Sequence, residues 1–162
     1  MKPSAILSVA LLSLTVLVSC NLFSDLNSTS LLSFKVTGIA SQKDSVLFSG
    51  KDIKSFNDST GEVTFNDTLT IRKIRKFHKF KCYLGSDSIF AFGYAADYMS
   101  SVVNDLVFYD NILNKRYYFA DGYPNWIDNL GTNSIRLQNK QKRAAAWAKF
   151  IAEMKLEGKS NR

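Results

Sequence analysis

Residues 104–122 read NDLVFYDNILNKRYYFADG, and their pattern decides the fold class. Large apolar and aromatic residues alternate along both arms, the period of a strand with one buried face. The connection NILNK, at 111–115, is short enough to return the chain antiparallel to itself. Upstream, residues 79–94 repeat the arrangement as KFKCYL, a GSD turn containing Gly85, and SIFAFGY. Further strands are expected at 32–36, 45–48 and 62–65. No repeat of solenoid period interrupts this pattern.

Helical signals are fewer. Residues 51–56 suggest one short turn, followed by the Asn-Asp-Ser-Thr-Gly turn at 57–61. Ile71, Ile74 and Phe77 are spaced as in a turn or helical piece, and 95–104 reads as an ambiguous helix. The last element is a long helix over 134–157. Ile135, Ala144, Trp147, Ile151 and Met154 fall near one stripe, with Asn133 as N-cap and Gly158 beyond the C-cap. Trp147 is therefore expected in the core. The expected fold class is α+β: an antiparallel sheet of hairpins covered on one face by the C-terminal helix.

The first twenty residues, MKPSAILSVALLSLTVLVSC, set the expected address. Lys2 supplies a positive start, and 5–18 is an uncharged apolar run shorter than a comfortable membrane span. Leu17-Val18-Ser19-Cys20 resembles a bacterial lipobox, in which the signal is cut before a cysteine that then carries acyl chains. The resemblance implies a signal peptide at 1–19 and lipidation of Cys20. Each buried methylene contributes about 0.8 kcal/mol, so two or three chains give stable anchoring. Asn21 stands where an Asp often retains such proteins in the inner membrane. The outer membrane is therefore expected, with periplasmic and external orientations both open.

Residues 20–30 read as a flexible tether rich in Ser and Asn, and ten such residues span roughly 16–19 Å. Residues 31–162 then form a single domain. With Cys20 acylated, Cys82 has no expected partner; it shares a strand face with Phe80 and Leu84 and is expected to be buried. His78, the sole histidine, lies four residues away, about 13 Å along a strand, too far for a catalytic dyad.

Formal charge is +7, and it is unevenly placed. Residues 72–81 carry six basic side chains and no acidic ones, and residues 136–162 carry eight basic and two acidic. Residues 82–135 carry two basic and six acidic. A nucleic-acid ligand would suit the charge but not the address, and no recognised nucleic-acid module is present. Arg72, Lys73, Arg75, Lys76, Lys79 and Lys81 are instead candidates for contact with anionic headgroups or acidic glycans, or form a solvated face.

Catalytic signatures are missing: there is no HExxH, G-x-S-x-G, P-loop or CxxC. No enzyme activity, metal or cofactor is expected, although a carboxylate-pair hydrolase remains as a third class. The loop DGYPNWIDN, 121–129, offers Asp121, Tyr123, Trp126 and Asp128. Aromatic faces beside carboxylates and amides suit a sugar-binding cleft, and the same residues suit a structural corner plugged by Tyr123 and Trp126. We take the corner as the leading reading and the cleft as its alternative. A calcium loop fits less well, because the acidic spacing matches no EF-hand.

Four triplets, at 44–46, 58–60, 67–69 and 87–89, read Asp, then Ser or Thr, then an aliphatic residue or Thr. Composition alone gives about one. They resemble the O-glycosylation signal of Bacteroides-type bacteria, which implies modification at Ser45, Ser59, Thr68 and Ser88. The lipobox, DIKSFNDSTGEVTF, NDLVFYD, DGYPNWIDN and RAAAWAKFIAEMK together resemble small lipoproteins of that group. This implies lineage and address, and carries over no catalytic residue.

The expected function is a membrane-anchored, non-enzymatic binding or assembly module meeting an envelope protein or glycan. The alternative is a glycan-binding surface lipoprotein. Peptide mass spectrometry of the protein from its own envelope is expected to find glycan on Ser45, Ser59, Thr68 or Ser88; four unmodified peptides would remove that expectation.

Overall fold

The computed structural model describes residues 30–36, 45–124 and 132–161. Nine strands form one mixed sheet: β1 (Leu32–Val36), β2 (Ser45–Ser49), β3 (Ile53–Asn57), β4 (Glu62–Phe65), β5 (Lys79–Leu84), β6 (Asp87–Ala96), β7 (Val107–Asn111), β8 (Arg116–Ala120) and β9 (Ser160–Asn161). Helix α1 (Thr68–Ile74) precedes β5, and helix α2 (Asn133–Leu156) precedes β9.

Hydrogen bonding follows the order β2-β1-β5-β6-β7-β8-β4-β3-β9. In a flat sheet, seven steps of about 4.8 Å would hold β2 and β3 about 34 Å apart. Yet only a 3-10 turn, Gly50–Asp52, joins Ser49 at the end of β2 to Ile53 at the start of β3. Four residues reach at most about 14 Å. The sheet therefore curls into a half-barrel.

Inward residues fill the curl. Phe34 of β1 lies 6.4 Å from Phe119 of β8, although three strands separate them in the sheet. Phe48 of β2 meets Phe65 of β4 at 5.5 Å, and Phe80 stacks on Phe92 at 5.0 Å. Such pairs contribute about 0.5–1.5 kcal/mol each beyond simple burial. Helix α2 completes the core. Phe150 packs edge-on against Phe34, Phe56, Phe90 and Phe119, with Met154 buried one turn further on. Cys82 is fully buried and unbridged, and burial pushes its thiol well above the ordinary range.

The α+β expectation stands in outline, while a sheet built only of antiparallel hairpins does not. β6 and β7 run parallel, pairing Gly93 with Val107 and Ala96 with Asp110. The reason lies in residues 95–104, which are not helical. Ala95 and Ala96 prolong β6, one facing each of two cores, so both are buried and the alternation disappears. The chain then crosses back through residues 97–106 before β7 begins.

Residues 51–56 also depart from their expected helical turn. Ile53 and Phe56 both point inward because the β3–β4 register shifts between Ile53 and Ser55. A bulge thus imitates the three-residue spacing of a helix. In α2 the expected stripe holds only in the second half. Trp147, Phe150, Ile151 and Met154 pack on the core, whereas Ile135 is 48% exposed and Ala144 is exposed. Thr132, not Asn133, precedes the first turn.

The C-terminal stop is as expected. Gly158 takes φ +68°, and the N–H groups of Gly158 and Lys159 donate to the carbonyls of Lys155 and Met154. This double closure turns the chain so that β9 runs parallel to β3, pairing Phe56 with Ser160. Truncating Phe150 leaves a cavity against five aromatic rings. Phe150→Ala is expected to lose about 3–5 kcal/mol in urea unfolding, and a loss below about 1 kcal/mol would show that α2 does not close the core.

Candidate functional site

A groove of about 810 Å³ lies between α2 and the β7–β8 hairpin. One wall is the 58–61 turn. The Asn57 side-chain oxygen accepts the N–H groups of Ser59 and Thr60 at 3.0 and 2.9 Å, which sets this turn. Gly61, at φ +73°, then lies flat on β8; an added Cβ would stand 2.3 Å from the Phe119 carbonyl oxygen. No larger residue fits there without moving the wall.

The opposite wall is residues 140–148 of α2, clamped by charge. Arg143 donates to Asp105 at 2.7 Å and to Asp121, and Lys140 lies 2.8 Å from Asp121. Burial pushes the Asp121 carboxyl upward, but the hydrogen bonds from Lys140 and Arg143 outweigh it and hold it below its ordinary value. At the other side, Asp58 pairs with Lys155 at 3.3 Å. Both carboxylates of the groove thus already face cations.

Aromatic residues contribute to the lining. Tyr118 stacks on Tyr109 at 6.1 Å. Tyr109 is fixed in turn, since its hydroxyl donates to Asp97. Burial and that bond push its phenol up, keeping it a donor. Trp147 lines the groove with its ring set by Phe56, Phe90, Phe119 and Phe150. The aromatic residues are thus anchored before any ligand arrives.

Of the sequence candidates, Asp121 lies in this groove. Tyr123 does not: it is 2% exposed, and its hydroxyl donates to the carbonyls of Ala96 at 2.7 Å and Met99 at 3.0 Å. It plugs the corner beneath the β6–β7 crossover, where the Tyr123–Pro124 peptide is cis. Trp126, Asp128 and the Cys20 lipidation site lie outside the described residues.

The basic block is divided by the fold. Arg72, Lys73 and Lys76 are exposed on and just after α1. Lys79 and Lys81 stand on the outer wall of β5, with Lys81 directly opposite Lys35 of β1. Arg75 turns inward instead. Its Nε and Nη2 donate to Asp110 at 2.7 and 3.3 Å, and Asp110, 0% exposed, also accepts the Tyr94 hydroxyl at 2.9 Å. The Asp110 bond holds the Arg75 guanidinium above its ordinary value. Ser45, Ser59, Thr68 and Ser88 are all exposed, so each hydroxyl is accessible.

Sequence reasoning missed Asp58, Tyr118, Lys140, Arg143 and Trp147 as members of one site. The charge pattern held a signal: the acidic segment 82–135 supplies Asp105 and Asp121, to which the basic α2 docks. Among the described residues no group of three or more His, Cys, Asp or Glu is placed to hold a metal, and no helix is long and apolar enough to cross a membrane. No protein-family model, curated protein or solved structure matches the chain.

Because the folded Asp121 is more acidic than the unfolded one, its contribution is present at neutral pH and lost as pH falls through its folded value. Asp121→Asn is therefore expected to be less stable than the parent at pH 7, with a smaller gap at about pH 2, well below the ordinary carboxyl value. Urea midpoints measured at both pH values decide this; a gap that stays constant would remove the ionic clamp.

Proposed function

We propose that the protein is a lipid-anchored envelope module that binds without catalysis, presenting the groove between α2 and the β7–β8 hairpin to its ligand or partner. The observation that carries this reading is the groove itself. Aromatic residues, the Asn111 amide and paired charges meet there, beside a packed aromatic core.

The charge state of Asp121 supports a binding role over hydrolysis. A carboxylate-pair hydrolase needs one carboxyl able to donate a proton near neutral pH. Two cations hold Asp121 ionised, which suits a clamp between helix and hairpin. Anchoring through Cys20, with the domain near the outer membrane, follows from the lipobox reading. The described chain enters β1 beside Gly85, whose N–H donates to the Leu31 carbonyl at 2.9 Å. That is the end of β5 away from α1, by about 20 Å of strand. The exposed cations of α1 therefore stand away from the tether, whereas Lys79 and Lys81 lie along the wall between.

Two measurements test the reading together. Cys20→Ser is expected to move the protein from the membrane to the soluble fraction. A photo-crosslinking residue at Ala148, exposed on the groove wall, is expected to form an adduct in intact cells that Tyr118→Ala removes. Adducts formed equally from Lys54, on the outer face of β3, would sink the groove.

A further inference from the structure

From the lining of this groove we infer its ligand class: an uncharged glycan segment, held by its ring faces and hydroxyls. The inference rests on the groove being the binding site.

Charge is the first argument. Asp58 faces Lys155, and Asp121 faces Lys140 and Arg143. An anionic ligand would have to compete with those carboxylates for the cations, and a cationic one would meet the reverse. A neutral ligand leaves all the pairs in place. It is therefore the class that the existing hydrogen bonds penalise least.

Surface chemistry is the second. Tyr118, on the face of β8 that carries Tyr109, and Trp147 of α2, on the face that carries Phe119, both line the groove, and rings of this kind stack on the C–H faces of pyranose rings. Tyr118 is oriented by stacking on Tyr109. Asn111 and the hydroxyls of Ser59 and Thr60 line the same groove. The Asn111 oxygen accepts the Asn114 N–H at 3.0 Å and the Thr60 hydroxyl the Glu62 N–H at 3.2 Å, which directs the Asn111 amide N–H groups and the hydroxyl protons toward sugar oxygens. Rigid aromatic residues with a small number of placed polar groups are the ordinary composition of a small-ligand site, and 810 Å³ lies within the usual range.

The site differs from the cleft suggested by residues 121–129. Tyr123 is spent on the corner, and the aromatic faces come from β8 and α2.

The test is calorimetric titration of the purified domain with neutral gluco-, manno-, galacto- and xylo-oligosaccharides, and with oligogalacturonate as the acidic comparator. Protein carrying Ser59→Ala is run in parallel, so that a modified Ser59 at the lip cannot block entry. At least one neutral oligosaccharide is expected to bind with little dependence on salt. Tyr118→Ala and, separately, Asn111→Ala are expected to weaken it by about tenfold or more, with unchanged circular dichroism. Salt-sensitive binding of oligogalacturonate alone overturns the neutral-ligand inference. So does binding of neutral glycan that neither variant weakens. If no oligosaccharide binds while the Ala148 crosslink to a protein persists and depends on Tyr118, the glycan class falls and the groove stands. If both are absent, both fall.

Discussion

A connection of three residues governs this structure. Gly50–Asp52 joins strands that stand first and eighth in the hydrogen-bonding order. The Asp52 carboxylate accepts from the Ser49 backbone at 2.7 Å and from its hydroxyl at 3.1 Å, which locks the turn. Gly50 is packed so closely against the Ser30 and Glu157 side chains that a Cβ would stand 2.1 and 2.9 Å from them. With the ends of the sheet tied at this distance, curling follows, and the concave face is filled largely by aromatic side chains.

A second consequence is where polarity is allowed. The inward row of β7 contains Phe108 and then Asp110, a carboxylate in the wall of an aromatic barrel. Arg75, at the end of α1, and Tyr94 satisfy it. Arg75 keeps 42% of its side chain exposed, so only one member of the pair is fully desolvated. This arrangement ties α1 to the sheet with direction as well as affinity. Ile71 and Ile74 bury the apolar side of the same short helix. The groove lies outside this region, where α2 is held by ions along its first half and by rings along its second.

Strands with one buried face were legible from residue order: β1, β4 and β5 appear at the expected positions, since Leu32-Phe34-Val36 and Phe80-Cys82 alternate without interruption. Alternation failed wherever a second constraint acted. Ala95 and Ala96 lie between two cores, and the register shift after Ile53 turned a strand into an apparent helix. β9 is two residues long and carries no pattern at all. The groove was hidden for a different reason. Tyr118 alternates correctly within its strand and Trp147 sits correctly on its helix, so neither looks special. Only the fold brings them to one opening, while DGYPNWIDN stood out through a proline that the structure uses at a corner.

The placing of β1 has a mechanical side. Leu32–Val36 lies between β2 and β5, antiparallel to both, so its backbone is held by a ladder on each side. Traction through that segment loads the hydrogen bonds of both ladders in shear, all together, instead of peeling them one by one. An edge strand would carry the same load on one ladder instead of two. Tension along this strand is thus shared by two ladders at once and passes into the barrel wall rather than opening it.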